Sequence, residues 1–460
     1  MAEWAVRKLS YAVGWREIFG GMPRLLMEAE PAVQREIILR AEKSVYGDAG
    51  LESYEATEKT SLRALARRAL AQHLCQRALL GSARVSWLRR MIFGLAFPPL
   101  LALFALASLR PGKAPAESNR PDLVVFFWAE RLYKFIGDCH FQGQSYVLHR
   151  ARHVCFRNRE IRFFLRTIAG CPRILCYPEL LCNFVRWLGY YGYVIRCHRP
   201  KEAVVHFFEN TASSSLMTAY LHERGLRHID VQHGEIMFTA MSAFCRFDEV
   251  RLWGEHFRDV FLSGRSSGGT IRVRGTQYHR ELFRQVRNQY QPRTKRLLII
   301  DPFMYEEHEV HYSMIKKVVE RLDPGWEVRV RRHPAELRVR LAWMDQLNAE
   351  LGLRQKSLRL EEERPSVPIE EALGKSRVVL GVASAALIEA WIVGCKIIHV
   401  AGGPGREVLM DRYQSSANVF YCDQRTDGRS LDTFLTQPAA LNDRESRLVN
   451  HLTAIQERLS

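Results

Sequence analysis

The run WEVRVRRHPAEL (Trp326–Leu337), followed by PIEEALGKSRVVLGVASAALIEAWIVGCKIIHVAGG (Pro368–Gly403), decides how this chain folds. WEVRV alternates apolar and polar residues like a strand and runs into Arg331-Arg332-His333-Pro334, where proline forbids further ladder pairing. RVVLGV is a short apolar run of the kind that makes a buried parallel strand. Ala383-Ser384-Ala385 is a small-residue turn, and LIEAWIV after it has helical spacing. Gly394 stops that helix, and KIIHVAGG is the next buried strand. A strand–helix–strand unit of this kind predicts that His333, Ser384 and Gly402-Gly403 fall at C-terminal strand ends, where open parallel sheets bind ligands. A phosphate suits that edge: a hydroxyl and backbone N–H groups at a helix start, with a basic group opposite.

Working backwards, RLLIID opens this second sheet, with Asp301-Pro302 at the strand end and Tyr312–Leu322 as the following helix. RLEEERP (Arg359–Pro365) takes the place of the strand and turn before the next helix, its glutamates turned to solvent. His308 and His311 are three apart, but a third metal ligand is wanting and a solvated surface is the expectation.

From Leu123 the texture is also α/β. LVVFFW, SYVLH, RILCYP, YVIRCH, AVVHFFEN, HIDVQHGE, VRLWGE and TIRVRG read as strands or strand ends, with helical segments between several of them. No GxGxxG is present, so no dinucleotide cofactor is indicated. Two strand ends carry polar groups: Glu209-Asn210, before the run TASSS that opens a helix, and Gln232-His233-Gly234-Glu235. Glycine lets backbone approach a ligand closely, and histidine accepts a proton near neutral pH. His233 is therefore the candidate base, with Glu209 and Glu235 as runners-up.

The ordered set of motifs resembles the GT-B glycosyltransferases. More narrowly it resembles those with an HP motif followed by a serine motif: bacterial sialyltransferases, Kdo transferases and teichoic-acid glycerophosphotransferases. The resemblance implies two Rossmann-like domains facing a cleft, with His333-Pro334 and Ser384 on the phosphate of a nucleotide donor of the CMP- or CDP-linked kind. It implies a donor-side carboxylate at Glu389 and a base at His233 within QHG. These families carry paired Ser/Thr where this chain has Ser384-Ala385. No D-x-D occurs, the carboxylate pair with which GT-A enzymes hold a divalent cation, so Arg331, Arg332 and His333 are expected to neutralise the leaving phosphate, with no metal or other cofactor. Glycerophosphate or polyol-phosphate transfer from a CDP donor shares the same geometry and is the alternative activity. A sugar-nucleotide epimerase and a catalytically silent membrane scaffold are further readings.

Length and charge agree with a multidomain enzyme. The chain has 460 residues, enough for two to three domains, and its 47% hydrophobic and 25% charged content is that of a globular enzyme. Net charge is +17, with arginines dispersed through apolar segments rather than gathered in a nucleic-acid module. Nucleic acid is set aside, leaving an anionic membrane surface or phosphorylated substrates as partners. Ten cysteines without CxxC pairs read as reduced thiols.

Residues 1–115 read as a helical, membrane-associating N-terminal region. LRALARRALAQHLCQRALL (Leu62–Leu80) has apolar residues at helical spacing with arginines mostly on the other face. Met91–Leu109 lacks charge, and as a helix its 19 residues reach about 28 Å, barely the hydrocarbon thickness. Pro98-Pro99 kinks its middle. Arg89 and Arg90 before it and Arg110 and Lys113 after it favour a hairpin or in-plane anchor with both flanks in the cytosol. The expected organisation is this region with its segment 91–109, a first Rossmann-like acceptor domain over 121–285, a second nucleotide-donor domain over 295–435, and a C-terminal helix over 440–460. The expected activity moves a sugar from a nucleotide-activated donor to a lipid-linked or growing surface polysaccharide at the cytoplasmic face of the bacterial inner membrane.

Overall fold

A computed structural model describes residues 31–52, 61–80, 94–95, 98–99, 102, 121–127, 144–150, 156–206, 208–232, 239–253, 255–273, 294–300, 308–332, 342–352, 359–364, 366–381, 385–400, 418–422 and 426–437. The chain divides between Gln277 and Tyr278 into two units.

Unit 1 is a parallel sheet of β1 (Leu123–Phe127), β2 (Tyr146–Arg150), β3 (Glu202–His206), β4 (Arg227–Val231), β5 (Arg246–Leu252) and β6 (Ser267–Val273) in the order β2-β1-β3-β4-β5-β6. Its helices are α1 (Pro31–Tyr46), α2 (Leu62–Leu80), α3 (Asn158–Gly170), α4 (Pro178–His198), α5 (Ser214–His222), α6 (Thr239–Ser242) and α7 (Glu255–Ser263). One sheet face is lined by Leu123, Val125, Val204, Ile229 and Val231, the alternate residues of adjoining strands. Glu160 lies buried where α3, α4 and α5 meet, accepting from Arg157 N at 2.9 Å, Arg196 Nη1 at 2.8 Å and Tyr220 Oη at 2.5 Å. Gly192 makes room for it, because a Cβ there would stand 2.9 Å from its carboxyl.

Two of the expected strands are not strands. RILCYP forms a 3-10 turn over Pro172–Cys176, and YVIRCH is the end of α4. Most residues from Leu180 to Ile195 of α4 are buried, and its Tyr-Val-Ile segment imitates a buried strand. The N-terminal helices also differ from the reading of them. Arg68 in α2 is 2% exposed and donates to Phe244 O and Arg265 O, at 3.2 and 2.8 Å, rather than facing solvent. Ile38 of α1 and Ala71, Cys75 and Leu79 of α2 share a core with Ala240 and Phe244, so both helices are built into unit 1. Among the described residues no helix is long and apolar enough to cross a membrane. Of Met91–Leu109 only Gly94, Leu95, Pro98, Pro99 and Ala102 are described, each exposed, and the rest of that segment lies outside the described residues.

Unit 2 is a second parallel sheet: β7 (Arg296–Ile300), β8 (Glu327–Arg331), β9 (Leu360–Glu362), β10 (Val378–Gly381), β11 (Lys396–Val400) and β12 (Val419–Cys422), ordered β12-β11-β10-β7-β8-β9. Its helices are α8 (His308–Val319), α9 (Ala342–Gly352), α10 (Ile369–Lys375), α11 (Ala385–Ile392) and α12 (Gly428–Thr436). The β10–α11–β11 unit matches the reading of VVLGVASAALIEAWIVGCKIIHV, and Gly394 ends the helical stretch with φ at +77°, a conformation that glycine adopts without strain. Of the glutamates expected to face solvent, Glu361 is exposed, whereas Glu363, just after β9, is buried in an ion pair with Arg296 of β7. The C-terminal helix expected at 440–460 lies outside the described residues.

Candidate functional site

In unit 2 the strand order itself marks a position. From β7 the chain turns to β8 and β9 on one side, then returns to β10 on the other. The order reverses between β7 and β10, and beyond the C-terminal ends of such a pair the following loops diverge and leave a crevice. One register row crosses this edge: Arg331, Ile300, Gly381, His399 and Tyr421 on β8, β7, β10, β11 and β12. The packing at Gly381 is close: a Cβ there would stand 3.3 Å from both Ile300 Cβ and Leu387 Cδ2, so a larger residue would require one of them to shift. The absence of a Cβ lets α11 pack closely against the strand pair.

The row precedes each motif of the donor side in the sequence. His333 and Pro334 follow Arg331, Ser384 follows Gly381, and Gly402 and Gly403 follow His399. These five residues lie outside the described ones. Arg331 Nη1 donates to Val367 O at 2.9 Å, tying the end of β8 to the segment before α10. Arg332 Nη2 donates to Glu362 Oε2 at 2.8 Å, so a carboxylate of β9 sets the direction of that guanidinium. Glu389 is buried within α11, a helix buried continuously from Leu387 to Trp391. His399, which the motif reading passed over, is buried with its ring centroid 5.7 Å from that of Tyr421.

In unit 1 the order reverses between β1 and β3, and the end of β3 leads to Glu209. That side chain is 1% exposed, and its charge acts on the buried carboxyl of Asp230 on β4, which accepts from Phe208 N at 3.3 Å. Burial first, and the charge of Glu209 second, hold Asp230 well above the usual carboxylate range. Glu209 thus faces the interior. Gln232 is buried too, its Oε1 accepting from Trp253 N at 2.9 Å. His233 and Glu235 lie outside the described residues.

Helix α2 braces the segment after β3 and helix α6. Gln72 Nε2 donates to Glu209 O at 2.6 Å and Met241 O at 3.2 Å. Gln76 Nε2 donates to Asn210 O at 3.0 Å and Met241 O at 2.9 Å. Asp230, Gln72 and Gln76 were not singled out from the sequence. The signal was present in an aspartate at an inward position of HIDV and in a polar stripe at i, i+4 and i+8 of α2, Arg68-Gln72-Gln76.

No family model matches the chain, and no curated protein does. Solved structures similar to it include the UDP-GlcNAc 2-epimerase of Methanocaldococcus jannaschii, in complex with UDP-GlcNAc and UDP, at 12% identity and TM-score 0.43 over 72% of this chain and 99% of that one. The spinosyn rhamnosyltransferase complexed with spinosyn aglycone is 13% identical, with TM-score 0.41 over 72% and 96% of the two chains. The Anabaena protein HepE, in complex with UDP and glucose, is 10% identical, with TM-score 0.43 over 74% and 98%. At these values they assign neither a family nor an activity. The chain's own strand order makes it two α/β units on parallel sheets.

Proposed function

We propose that this chain is a membrane-associated, metal-independent glycosyltransferase that moves a sugar from a nucleotide-activated donor to a lipid-linked or growing surface polysaccharide. The observation that carries the reading is the register row at the β7/β10 reversal: the arginine-bearing end of β8, the close-packed Gly381 and the start of α11 share one edge of unit 2. A helix start offers N–H donors and a positive dipole end to an anion, and the arginines add charge. On this reading Arg332, His333 and Ser384 hold the donor phosphate, with Gly402 and Gly403 allowing close backbone approach and Glu389 as the donor-side carboxylate. An acceptor hydroxyl oxygen bonds to the anomeric carbon, the bond from that carbon to the nucleotide phosphate breaks, and the hydroxyl proton passes to His233. The interior orientation of Glu209 supports His233 over it as base.

A thermal-shift screen with CMP, CDP, UDP and GDP tests the reading. A nucleotide present at 100 times its Kd stabilises the folded state by about 2.7 kcal/mol, so one of the four is expected to raise Tm by several degrees. No shift with any of them at millimolar concentration contradicts nucleotide-dependent transfer.

A further inference from the structure

On unit 1, exposed arginines and exposed leucines occur together along α3, the turn that follows it and the adjoining start of α2. Helix α3 buries Glu160, Phe163, Phe164 and Thr167 and turns Arg159, Arg162 and Leu165 outward, at the i, i+3, i+6 spacing of one helix side. Leu165 is 59% exposed, and Leu175 in the 3-10 turn that follows is 52% exposed. Arg63, at the start of α2, stands against the end of α3, its Cβ 3.8 Å from where a Cβ of Gly170 would be. Arg173 in the turn is exposed and donates to Ser44 O of α1 at 2.6 Å. Around Cys171, which joins α3 to the turn, burial raises the thiol pKa while the charges of Arg67, Arg173 and Arg63 oppose it.

The positive charge here is largely uncompensated. Arg166 pairs with Glu223, but among the described residues Arg63, Arg159 and Arg162 form no ion pair. A solvated surface accommodates arginines, whereas two leucines more than half exposed among them lose the gain of apolar burial. An anionic bilayer satisfies both, with lipid phosphates for the guanidinium groups and an acyl boundary for the leucines. A nucleic acid would pair the phosphate contacts with aromatic stacking, and the outward residues of α3 are aliphatic and basic. The start of the apolar run is at the same end of the unit: Gly94 lies beside Pro178, the first residue of α4, and neighbouring Leu95 is 72% exposed.

We propose that the outward side of α3, the 3-10 turn after it and the first turn of α2 dock unit 1 on an anionic lipid bilayer. Leu165 and Leu175 reach the acyl boundary, and Arg63, Arg159, Arg162 and Arg173 meet lipid phosphates. The inference rests on the membrane-associated part of the function proposed above and adds the face that makes the contact.

Co-sedimentation of the full-length protein with vesicles of phosphatidylcholine, alone or mixed with phosphatidylglycerol, tests it. The protein is expected to prefer the mixed vesicles and to lose that preference as salt is raised. Arg159→Ala and Arg162→Ala should each lower the partition coefficient about 5-fold, and about 25-fold together, from the cost of one basic residue at such a surface. Leu165→Asn with Leu175→Asn should lower it about tenfold, and because all four side chains are exposed the melting temperature should stay unchanged. If the wild type prefers anionic vesicles and the variants match it, this face is wrong while membrane association stands. Wild-type protein that ignores both kinds of vesicle overturns the face and the membrane association together. Equal binding to both kinds leaves the arginines without a role and overturns the proposal. Capture by polyuridylate RNA without capture by vesicles overturns it as well.

Discussion

His228 sits at an inward position of β4 with each ring nitrogen engaged, Nε2 with Tyr191 Oη at 2.9 Å and Nδ1 with Thr218 Oγ1 at 2.7 Å. Burial pushes its pKa down to about 3, so the ring is neutral wherever the fold is sound. An unfolded histidine takes up its proton near pH 6.5. The stability that neutral His228 supplies is therefore complete above that pH and is lost as pH falls from 6.5 towards 3, by at most about 1.4 kcal/mol per pH unit. Asp230 on the same strand runs the other way: its raised pKa makes its contribution largest in acid and smaller as pH rises past the unfolded carboxylate range. A comparison of variants separates the two. His228→Gln should be less stable than wild type at pH 7.5, and its deficit should narrow as denaturant melts are repeated down to pH 4. A deficit constant across that range contradicts the buried neutral imidazole. Both residues were visible in HIDV only as polar letters in an apolar run, because alternation says which face a residue takes but not which partner waits there.

At the scale of the element, α2 was legible as a helix and illegible as a brace. Alanines and leucines at helical spacing set its conformation, whereas the inward turn of Arg68, Gln72 and Gln76 depends on carbonyls at residues 209, 210, 241, 244 and 265, far along the chain. Gln72→Leu would leave Glu209 O and Met241 O without this donor, and a buried acceptor stripped of its partner costs about 1–3 kcal/mol. The expected result is a loss of that size, with faster amide exchange over 208–214 and 239–242 and unchanged exchange in β7–β12. Exchange that rises in unit 2 instead, or nowhere, contradicts the brace. The strand readings failed where tertiary burial overrode local preference, as in α4, whose Tyr190, Tyr191, Val194 and Ile195 favour strands in isolation but are buried in a helix here.

For the whole molecule, two parallel sheets were legible because short apolar runs separated by helical segments leave little other choice. The edge of unit 2 was legible for the same reason, since the C-terminal ends of parallel strands all fall on one side of the sheet. Strand order was not legible. It is fixed by which faces pack, and only the order shows that the row through Arg331 and Gly381 borders the reversal of the sheet. Glu362, the partner of Arg332, escaped for a related reason: RLEEERP reads as a strand and turn with its glutamates turned to solvent, and the partner on β8 shows only once the two strands are seen to pair.

The central claim divides the labour between a donor-phosphate site in unit 2 and a base in unit 1. Isothermal titration of wild type, His333→Ala, Ser384→Ala and His233→Ala with the nucleotide that gives the largest thermal shift tests it directly. A lost charge-assisted hydrogen bond costs roughly 1.5–3 kcal/mol, so His333→Ala should weaken binding about 10- to 100-fold and Ser384→Ala by the low end of that range or less. His233→Ala should bind the nucleotide as wild type does, its defect confined to turnover. Nucleotide affinity that falls as far in His233→Ala as in His333→Ala, or that is unchanged in all three variants, contradicts the account.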